Sequence, residues 1–149
     1  FRWSPLSWTA DGRLLVPVAD GNVVQIYEAD GRLGPILSAG EEGLLGASAN
    51  PDGTLYATGS HAGRVRIWNR EGAVVDDFVA GDGKSMAVAG WSPTGEWIAV
   101  VESGGDKASV QLWTPAGQPG PTADQFRPSQ LVWRRDGRGL AVSGTGCLK

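Results

Sequence analysis

The sequence contains few of the residues from which catalytic and metal sites are usually built. Among its 149 residues there is one His and one Cys, namely His61 and Cys147. A single Cys cannot form an intrachain disulfide, which favours a reducing compartment, and a single imidazole cannot build a histidine-based zinc site. We therefore expect a cytoplasmic protein without a metal site, although the start at Phe1 instead of Met leaves a periplasmic location open.

A surplus of positive charge and long apolar runs are also missing. The net charge is -3 and the isoelectric point is near 5.1, whereas proteins that bind nucleic acids usually present a basic surface to phosphate. No apolar run approaches the ~18 residues that a membrane-spanning helix needs, and no signal peptide is recognisable. The composition thus argues against a nucleic-acid or membrane partner.

Glycine and tryptophan, by contrast, are abundant. The chain has 23 Gly and seven Trp, against three Phe and two Tyr, and Gly usage is about twice the average of ~7%. With 41% hydrophobic and 19% charged residues, the composition is that of a folded domain. It favours many turns and repeated aromatic core positions, which a helical bundle does not have.

Two kinds of marker recur along the chain at a nearly constant spacing. The first is a turn that ends in a glycine, and these glycines lie 41, 42 and 42 residues apart at Gly12, Gly53, Gly95 and Gly137. The second is an aromatic that follows the turn glycine after 15, 15 and 18 residues, at Tyr27, Trp68 and Trp113. A period of roughly 40–45 residues is that of a four-stranded propeller blade.

Alternation of apolar and polar residues between the turns predicts four strands in each repeat. The predicted first strands are Leu6–Trp8, Leu45–Ala49, Ala87–Trp91 and Leu131–Trp133, and the second strands are Leu14–Val18, Leu55–Gly59, Trp97–Val101 and Leu140–Ser143. The third strands carry the aromatic, and the fourth are Pro35–Ser38, Val74–Val79 and Thr122–Phe126. We expect Trp8, Trp91 and Trp133, which share one position of the repeat, to pack in the core.

The motifs Arg66-Ile67-Trp68-Asn69 and Gln111-Leu112-Trp113-Thr114, with Trp91-Ser92-Pro93-Thr94-Gly95 opening a unit, resemble the WD40 repeat family in a bacterial style. The family's Asp after the aromatic is replaced by Glu28, Asn69 and Thr114, and its Gly-His pair is absent. The resemblance implies blades held by packing and backbone ladders, with the family's His–Ser–Trp–Asp hydrogen-bond network mostly missing. TolB-like propellers use a similar turn and are the alternative.

The resemblance implies an all-β fold, a β-propeller of four-stranded antiparallel blades with about three and a half blades and an incomplete ring. We predict one partial WD40 domain over residues 1–149, with repeats at roughly 1–39, 40–80, 81–127 and a truncated 128–149. A fragment of a six- to eight-bladed ring, a ring shared by two copies, and a closed four-bladed propeller are the three interpretations, in that order. The first two leave apolar faces on the end blades.

No arrangement of residues points to catalysis. His61 lies in a predicted turn, no Gly-x-Ser-x-Gly elbow occurs, and Gly104–Ser109 lacks the Gly-Lys-Ser/Thr ending of a phosphate loop. Aspartates before glycines are explained by turn chemistry. We predict no catalytic residue, no cofactor and no metal ligand.

The predicted function is a scaffold that mediates protein–protein interaction. In WD40 proteins the rim formed by the fourth-to-first and second-to-third strand connections commonly receives partners, and loops on a rigid frame suit binding. By resemblance, the predicted partner-binding residues are Glu41, Glu42, His61, Arg64, Asp82, Lys84, Lys107 and Arg127. The alternative is the propeller portion of a TolB-like protein or of a larger hydrolase, kinase or ATPase whose catalytic region is absent here.

Overall fold

The computed structural model describes residues 6–18, 22–80, 86–104, 107–124 and 127–145, and over these ranges the chain is all-β. The only helical segment in them is a single 3₁₀ turn at Gly40–Glu42. None of these residues belongs to a helix with the length and apolarity to cross a membrane.

Within the described ranges, fourteen strands form four consecutive antiparallel sheets, each a simple meander. Sheet 1 contains β1 (Ser7–Trp8), β2 (Leu14–Val18), β3 (Val23–Tyr27) and β4 (Leu33–Ser38), and sheet 2 contains β5 (Leu44–Ala49), β6 (Leu55–Ser60), β7 (Arg64–Asn69) and β8 (Val74–Val79). Sheet 3 contains β9 (Met86–Trp91), β10 (Ile98–Gly104), β11 (Lys107–Trp113) and β12 (Pro119–Asp124), and sheet 4 contains β13 (Arg127–Trp133) and β14 (Leu140–Thr145). The prediction of an incomplete β-propeller of about three and a half blades is confirmed.

The first hairpin of every sheet turns in the same way. The N–H of the turn glycine donates to the carbonyl three residues earlier, over 3.1 Å at Gly12, 3.0 Å at Gly53, 3.0 Å at Gly95 and 2.9 Å at Gly137. All four glycines have φ between 70° and 85°, a region that a side chain with a Cβ rarely adopts. The recurring glycine therefore marks the turn that starts each sheet.

The core lies between the sheets, in three apolar clusters. The cluster between sheets 1 and 2 contains Leu15, Val24, Ile26, Leu37, Ala47, Tyr56 and Trp68. The cluster between sheets 2 and 3 contains Ala57, Val65, Ile67, Ala80, Trp91, Ile98, Val100 and Trp113. The third joins Ala99, Val101 and Val110 to Leu131, Trp133, Leu140 and Val142 of sheet 4. Each sheet is thus stabilised mainly by its neighbours, as expected of repeat architectures.

The three tryptophans that share one repeat position differ in burial. Trp91 is 7% exposed in the cluster between sheets 2 and 3, and Trp133 is half-buried against sheet 3. Trp8 is 69% exposed, so the prediction that it packs in the core is wrong. This position packs onto the preceding sheet, and among the described residues no sheet lies against that face of sheet 1.

One bond of the family's side-chain network is present in sheet 2. The indole N–H of Trp68 donates to Thr58 Oγ1 over 2.8 Å in a buried setting. In sheet 3 the equivalent aromatic is Trp113 and the equivalent of Thr58 is Val100, because Trp68 lies opposite Tyr56 as Trp113 lies opposite Ile98. The Trp113 indole nitrogen is buried without a hydrogen-bond partner among the described residues.

Replacing each of these two residues by the one found at the other position tests how much the hydrogen bond contributes to the free energy of unfolding. Thr58→Val should destabilise the chain by about 1–2 kcal/mol, because it leaves the buried Trp68 N–H without an acceptor at nearly constant volume. Val100→Thr should stabilise it by about 0.5–1 kcal/mol by giving Trp113 an acceptor. Denaturant unfolding of the two variants measures both effects, and equal destabilisation by both would contradict the assignment.

Candidate partner-binding rim

The sheets have two rims with different chemistry. The turn rim carries the first-to-second and third-to-fourth strand turns, and the connection rim carries the second-to-third and fourth-to-first strand connections. At the turn rim a Cβ on Gly53 would lie 3.3 Å from Asp11 Oδ1 and one on Gly95 would lie 3.5 Å from Pro51 Cδ. Each turn therefore lies directly on the turn of the preceding sheet.

Charged side chains reinforce the turn rim between sheets 1 and 2. Arg13 Nε lies 2.9 Å from Glu28 Oε2, and Arg13 Nη1 donates to the Tyr56 hydroxyl over 3.1 Å. Arg70 Nη2 reaches Asp11 Oδ2 over 2.7 Å. The contacts of Arg13 with Tyr56 and of Arg70 with Asp11 join sheets 1 and 2, whereas that of Arg13 with Glu28 lies within sheet 1. Since these polar groups already contact one another, this rim is less suited to a partner.

Asp11 is held in its charged form by this arrangement. The pKa of Asp11 is lowered below its usual range, and the largest cause is the hydrogen bond from the Thr9 hydroxyl, 2.5 Å from Asp11 Oδ1. Burial acts in the opposite direction, and Arg70 and then Arg13 lower the pKa further. A carboxyl with a lowered pKa in the folded chain stabilises the fold above its unfolded pKa, and this stabilisation is lost as the pH falls through its folded pKa.

Asp11→Asn should therefore make the stability less dependent on pH below about pH 4, with a change of less than about 1 kcal/mol because the carboxylate is partly exposed. Arg70→Ala should keep most of the dependence, since the Thr9 hydrogen bond is the larger cause. Unfolding curves recorded over a series of acidic buffers measure the slope. An unchanged slope in the Asp11→Asn variant would contradict the role of this carboxylate.

The connection rim of sheet 2 carries a mixed cluster that we call the rim patch: Glu42, His61, Arg64, Arg66 and Asp77. Arg64 Nη1 forms an ion pair with Asp77, and Arg64 Nε lies 3.9 Å from Glu42 Oε1. Arg66 Nη2 is 3.0 Å from Glu42 Oε2, but the geometry is not that of a hydrogen bond, so this contact is electrostatic only. The patch has two positive and two negative side chains in one surface.

The backbone of this rim is built to bring the patch together. The His61 N–H is shared between the carbonyls of Glu42 and Gly43, at 3.3 Å from each. Ser60, which is buried, accepts the Arg64 N–H at 3.2 Å and so closes the β6–β7 turn. The fixed turn and the 3₁₀ turn before β5 hold His61 and Glu42 side by side.

The structure describes the side chains of only some of the predicted rim residues. The structure brings together Glu42, His61 and Arg64. Glu41 lies in the 3₁₀ turn, Lys107 begins β11 and Arg127 begins β13, but their side chains lie outside the described part of the structure. Asp82 and Lys84 lie wholly outside the described residues. Their roles in binding stay predictions.

Arg66 and Asp77 belong to the patch but were missed by the sequence analysis. The strand period carried the necessary signal, because Arg64 and Arg66 are two residues apart on β7 and so share one face. Asp77 lies opposite Arg66 in the β7–β8 ladder. The candidate residues were restricted to the connections, and this left out residues within β7 and β8 that contribute to the same patch.

The described residues contain no group of three or more His, Cys, Asp or Glu side chains that could hold a metal ion. Asp30 and Asp52, both in turns, have lowered pKa values. The cause at Asp30 is the backbone N–H and guanidinium of Arg32, and at Asp52 it is the hydroxyl and N–H of Thr54. These hydrogen bonds are local to their turns.

Comparison with known families identifies the repeat. Residues 30–69 match the family model described as WD domain, G-beta repeat, and no curated protein matches the chain. The matched segment contains β4 of sheet 1 and β5, β6 and β7 of sheet 2, so one sequence repeat extends over two neighbouring sheets. Because of this offset, a single repeat contributes strands to two adjacent blades. With the match, the repeat register and the sheets in agreement, residues 30–69 form a WD40 repeat.

Proposed function

We propose that the chain is an interaction scaffold that receives a protein or peptide partner on its connection rim, and that its four sheets are part of a larger propeller. WD40 repeats generally bind protein partners and are typically not catalytic. The observation that carries the proposal is the rim patch, where two arginines, two carboxylates and an exposed histidine converge on one rigid turn region.

Two polar atoms of the rim patch have no hydrogen-bond partner among the described residues. Arg66 Nη1 and Glu42 Oε2 are buried without hydrogen-bond partners among the described residues. Buried polar atoms normally find a partner, and leaving one without it costs free energy. Because these two atoms are closed to solvent, a peptide would contact the patch through its more exposed side chains, those of His61, Arg64 and Asp77. Arginine is also enriched among the residues that dominate binding energies.

The outer edges of the sheets are unsuited to a partner that adds a strand. Pro35 lies in β4, Asp76 and Asp77 lie in β8, and Pro119 and Pro121 lie in β12. Proline and charge on an edge strand are known devices against edge-to-edge pairing. They favour recognition through side chains on a rim.

We place this scaffold in the cytoplasm and assign it no activity or cofactor of its own. The alternative, in which these blades belong to a TolB-like protein or to a larger hydrolase, kinase or ATPase, would place the chemistry in residues other than these.

Affinity capture from the organism that encodes the chain, followed by binding measurements with purified candidates, tests the proposal. Arg64→Glu should weaken binding of a true rim partner by about tenfold or more. Arg32→Glu makes the same change at an exposed position of the turn rim and should leave binding unchanged. A partner that binds both variants equally would show that the rim patch is not its site.

A further inference from the structure

Two polar side chains from neighbouring sheets meet above Gly43 at the connection rim. A Cβ added to Gly43 would lie 2.8 Å from His61 Cδ2, 3.1 Å from Asn22 Oδ1 and 3.6 Å from His61 Nε2. Asn22 belongs to the β2–β3 connection of sheet 1, and His61 belongs to the β6–β7 connection of sheet 2. Gly43 is buried, whereas the two residues above it are exposed. We call these two residues, Asn22 and His61, the clip.

The backbone of Asn22 gives its side chain particular interest. Asn22 has φ 52° and is the only residue other than glycine with a positive φ in the described part of the chain. Its counterpart in sheet 2 is Gly63, which also directly precedes a third strand and has φ 70°. Glycine adopts this conformation without steric cost, and side chains held in it are concentrated at functional sites. An asparagine where a glycine fits is explained if its carboxamide is needed.

Both members of the clip have hydrogen-bonding groups to offer. Neither the Asn22 carboxamide nor the His61 imidazole forms a side-chain hydrogen bond within the described ranges. A carboxamide has an acceptor oxygen and an NH2 donor, and a neutral imidazole has one donor and one acceptor. The nearby charged groups are already paired, since Arg64 contacts Asp77 and Glu42. The groups left for a ligand at this point of the rim are therefore neutral ones.

The chemistry of the clip is complementary to a peptide backbone. Every residue of a peptide except proline presents one N–H donor and one C=O acceptor. In an extended segment these groups have no partner within the segment, so a carboxamide that offers both a donor and an acceptor can pair with them.

We infer that the clip binds a backbone amide of an extended peptide, and that Asn22 is the residue that recognises it. The peptide N–H donates to Asn22 Oδ1, and a peptide C=O accepts a hydrogen bond from the Asn22 NH2 group. His61 lies beside this contact and covers it from the side of sheet 2. The inference rests on the proposed binding at the connection rim and names the chemistry of the partner there.

Peptides selected on the purified chain provide the probe. A phage-displayed library of random linear peptides is panned on the wild-type chain, and the enriched peptides are titrated against variants. Asn22→Gly keeps the positive φ and removes the carboxamide, so the unfolding midpoint should not change while affinity should fall about fivefold or more. Arg32→Glu, at an exposed position of the turn rim, is the control and should leave affinity unchanged.

Methylation of single backbone nitrogens in an enriched peptide identifies the group that is bound. At one position the methyl group should weaken binding to the wild-type chain by about fivefold, because it removes the N–H donor. The same methyl group should have little effect on binding to Asn22→Gly, because the two changes remove one interaction. If only replacement of an Asn or Gln side chain of the peptide shows this coupling, a side chain is bound instead of the backbone and the inference is overturned.

The remaining outcomes separate this inference from the rim proposal. Peptides that keep their affinity for Asn22→Gly but lose it for Arg64→Glu would overturn the inference and leave the rim proposal intact. Peptides that bind both variants as tightly as the wild-type chain would contradict both, as would a library from which no peptide is enriched.

Discussion

Replacing Trp68 by Ala is expected to destabilise the chain by about 3–5 kcal/mol, the range measured for removing a large aromatic from a core. Trp68 is buried in the cluster between sheets 1 and 2, together with Leu15, Ile26 and Tyr56. Its loss leaves a cavity at the junction and also removes the donor to Thr58. Because natural domains are stable by only about 5–15 kcal/mol, much of the folded population could be lost.

Denaturant unfolding followed by circular dichroism measures this change. Trp68→Phe keeps most of the ring volume and loses the N–H, so it should cost about 1–2 kcal/mol. Leu33→Ala removes an apolar side chain that is exposed on the outer strand β4 and should change stability by less than about 0.5 kcal/mol. Equal effects of Trp68→Ala and Leu33→Ala would contradict the placement of the core between the sheets.

The positions of most strands could be predicted from the sequence because the signals that mark a strand are local. Turn glycines and alternating residues depend only on neighbours along the chain, and the sheets follow them closely. The largest differences are at β13, which begins at Arg127 instead of the predicted Leu131, and at β12, which begins at Pro119 instead of the predicted Thr122. β12 contains Pro119 and Pro121, which an edge strand tolerates where no ladder hydrogen bond is needed.

The burial of a side chain could be predicted only where the sheet on which it packs lies among the described residues. Trp8 and Trp91 occupy the same position of the repeat, and nothing in their local sequence separates them. One is exposed and the other buried because, of the two, only Trp91 has a preceding sheet among the described residues to pack on. Side-chain packing in a repeat protein is a property of the junction, so one repeat alone cannot fix it.

The family network shows the limit of an argument from a motif. Because Asp is absent after all three aromatics, the sequence suggested that the whole hydrogen-bond network was mostly missing. In sheet 2, however, Trp68 and Thr58 retain one bond of it. A network of several residues can lose members one at a time, and the ladder register decides which of the remaining pairs still meet.

The rim should be most sensitive at Gly43, where Ala is expected to cost about 2–3 kcal/mol. Gly43 has φ 65° and ψ 134°, a conformation that strains residues with a Cβ. An added Cβ would also lie 2.8 Å from His61 Cδ2 and 3.1 Å from Asn22 Oδ1. The methyl group must therefore push His61 away from the rim patch, so partner binding and stability should fall together.

Gly40 provides the matched control for this substitution. It also has a positive φ, 66°, but a Cβ there would meet nothing within 4 Å. Gly40→Ala should therefore cost only the backbone strain, about 1–2 kcal/mol, and should leave binding at the rim intact. Denaturant unfolding and partner titration of the two variants separate strain from contact. If both variants lost binding equally, the position of His61 would not matter to the rim, and recognition would depend on the backbone of the 3₁₀ turn instead.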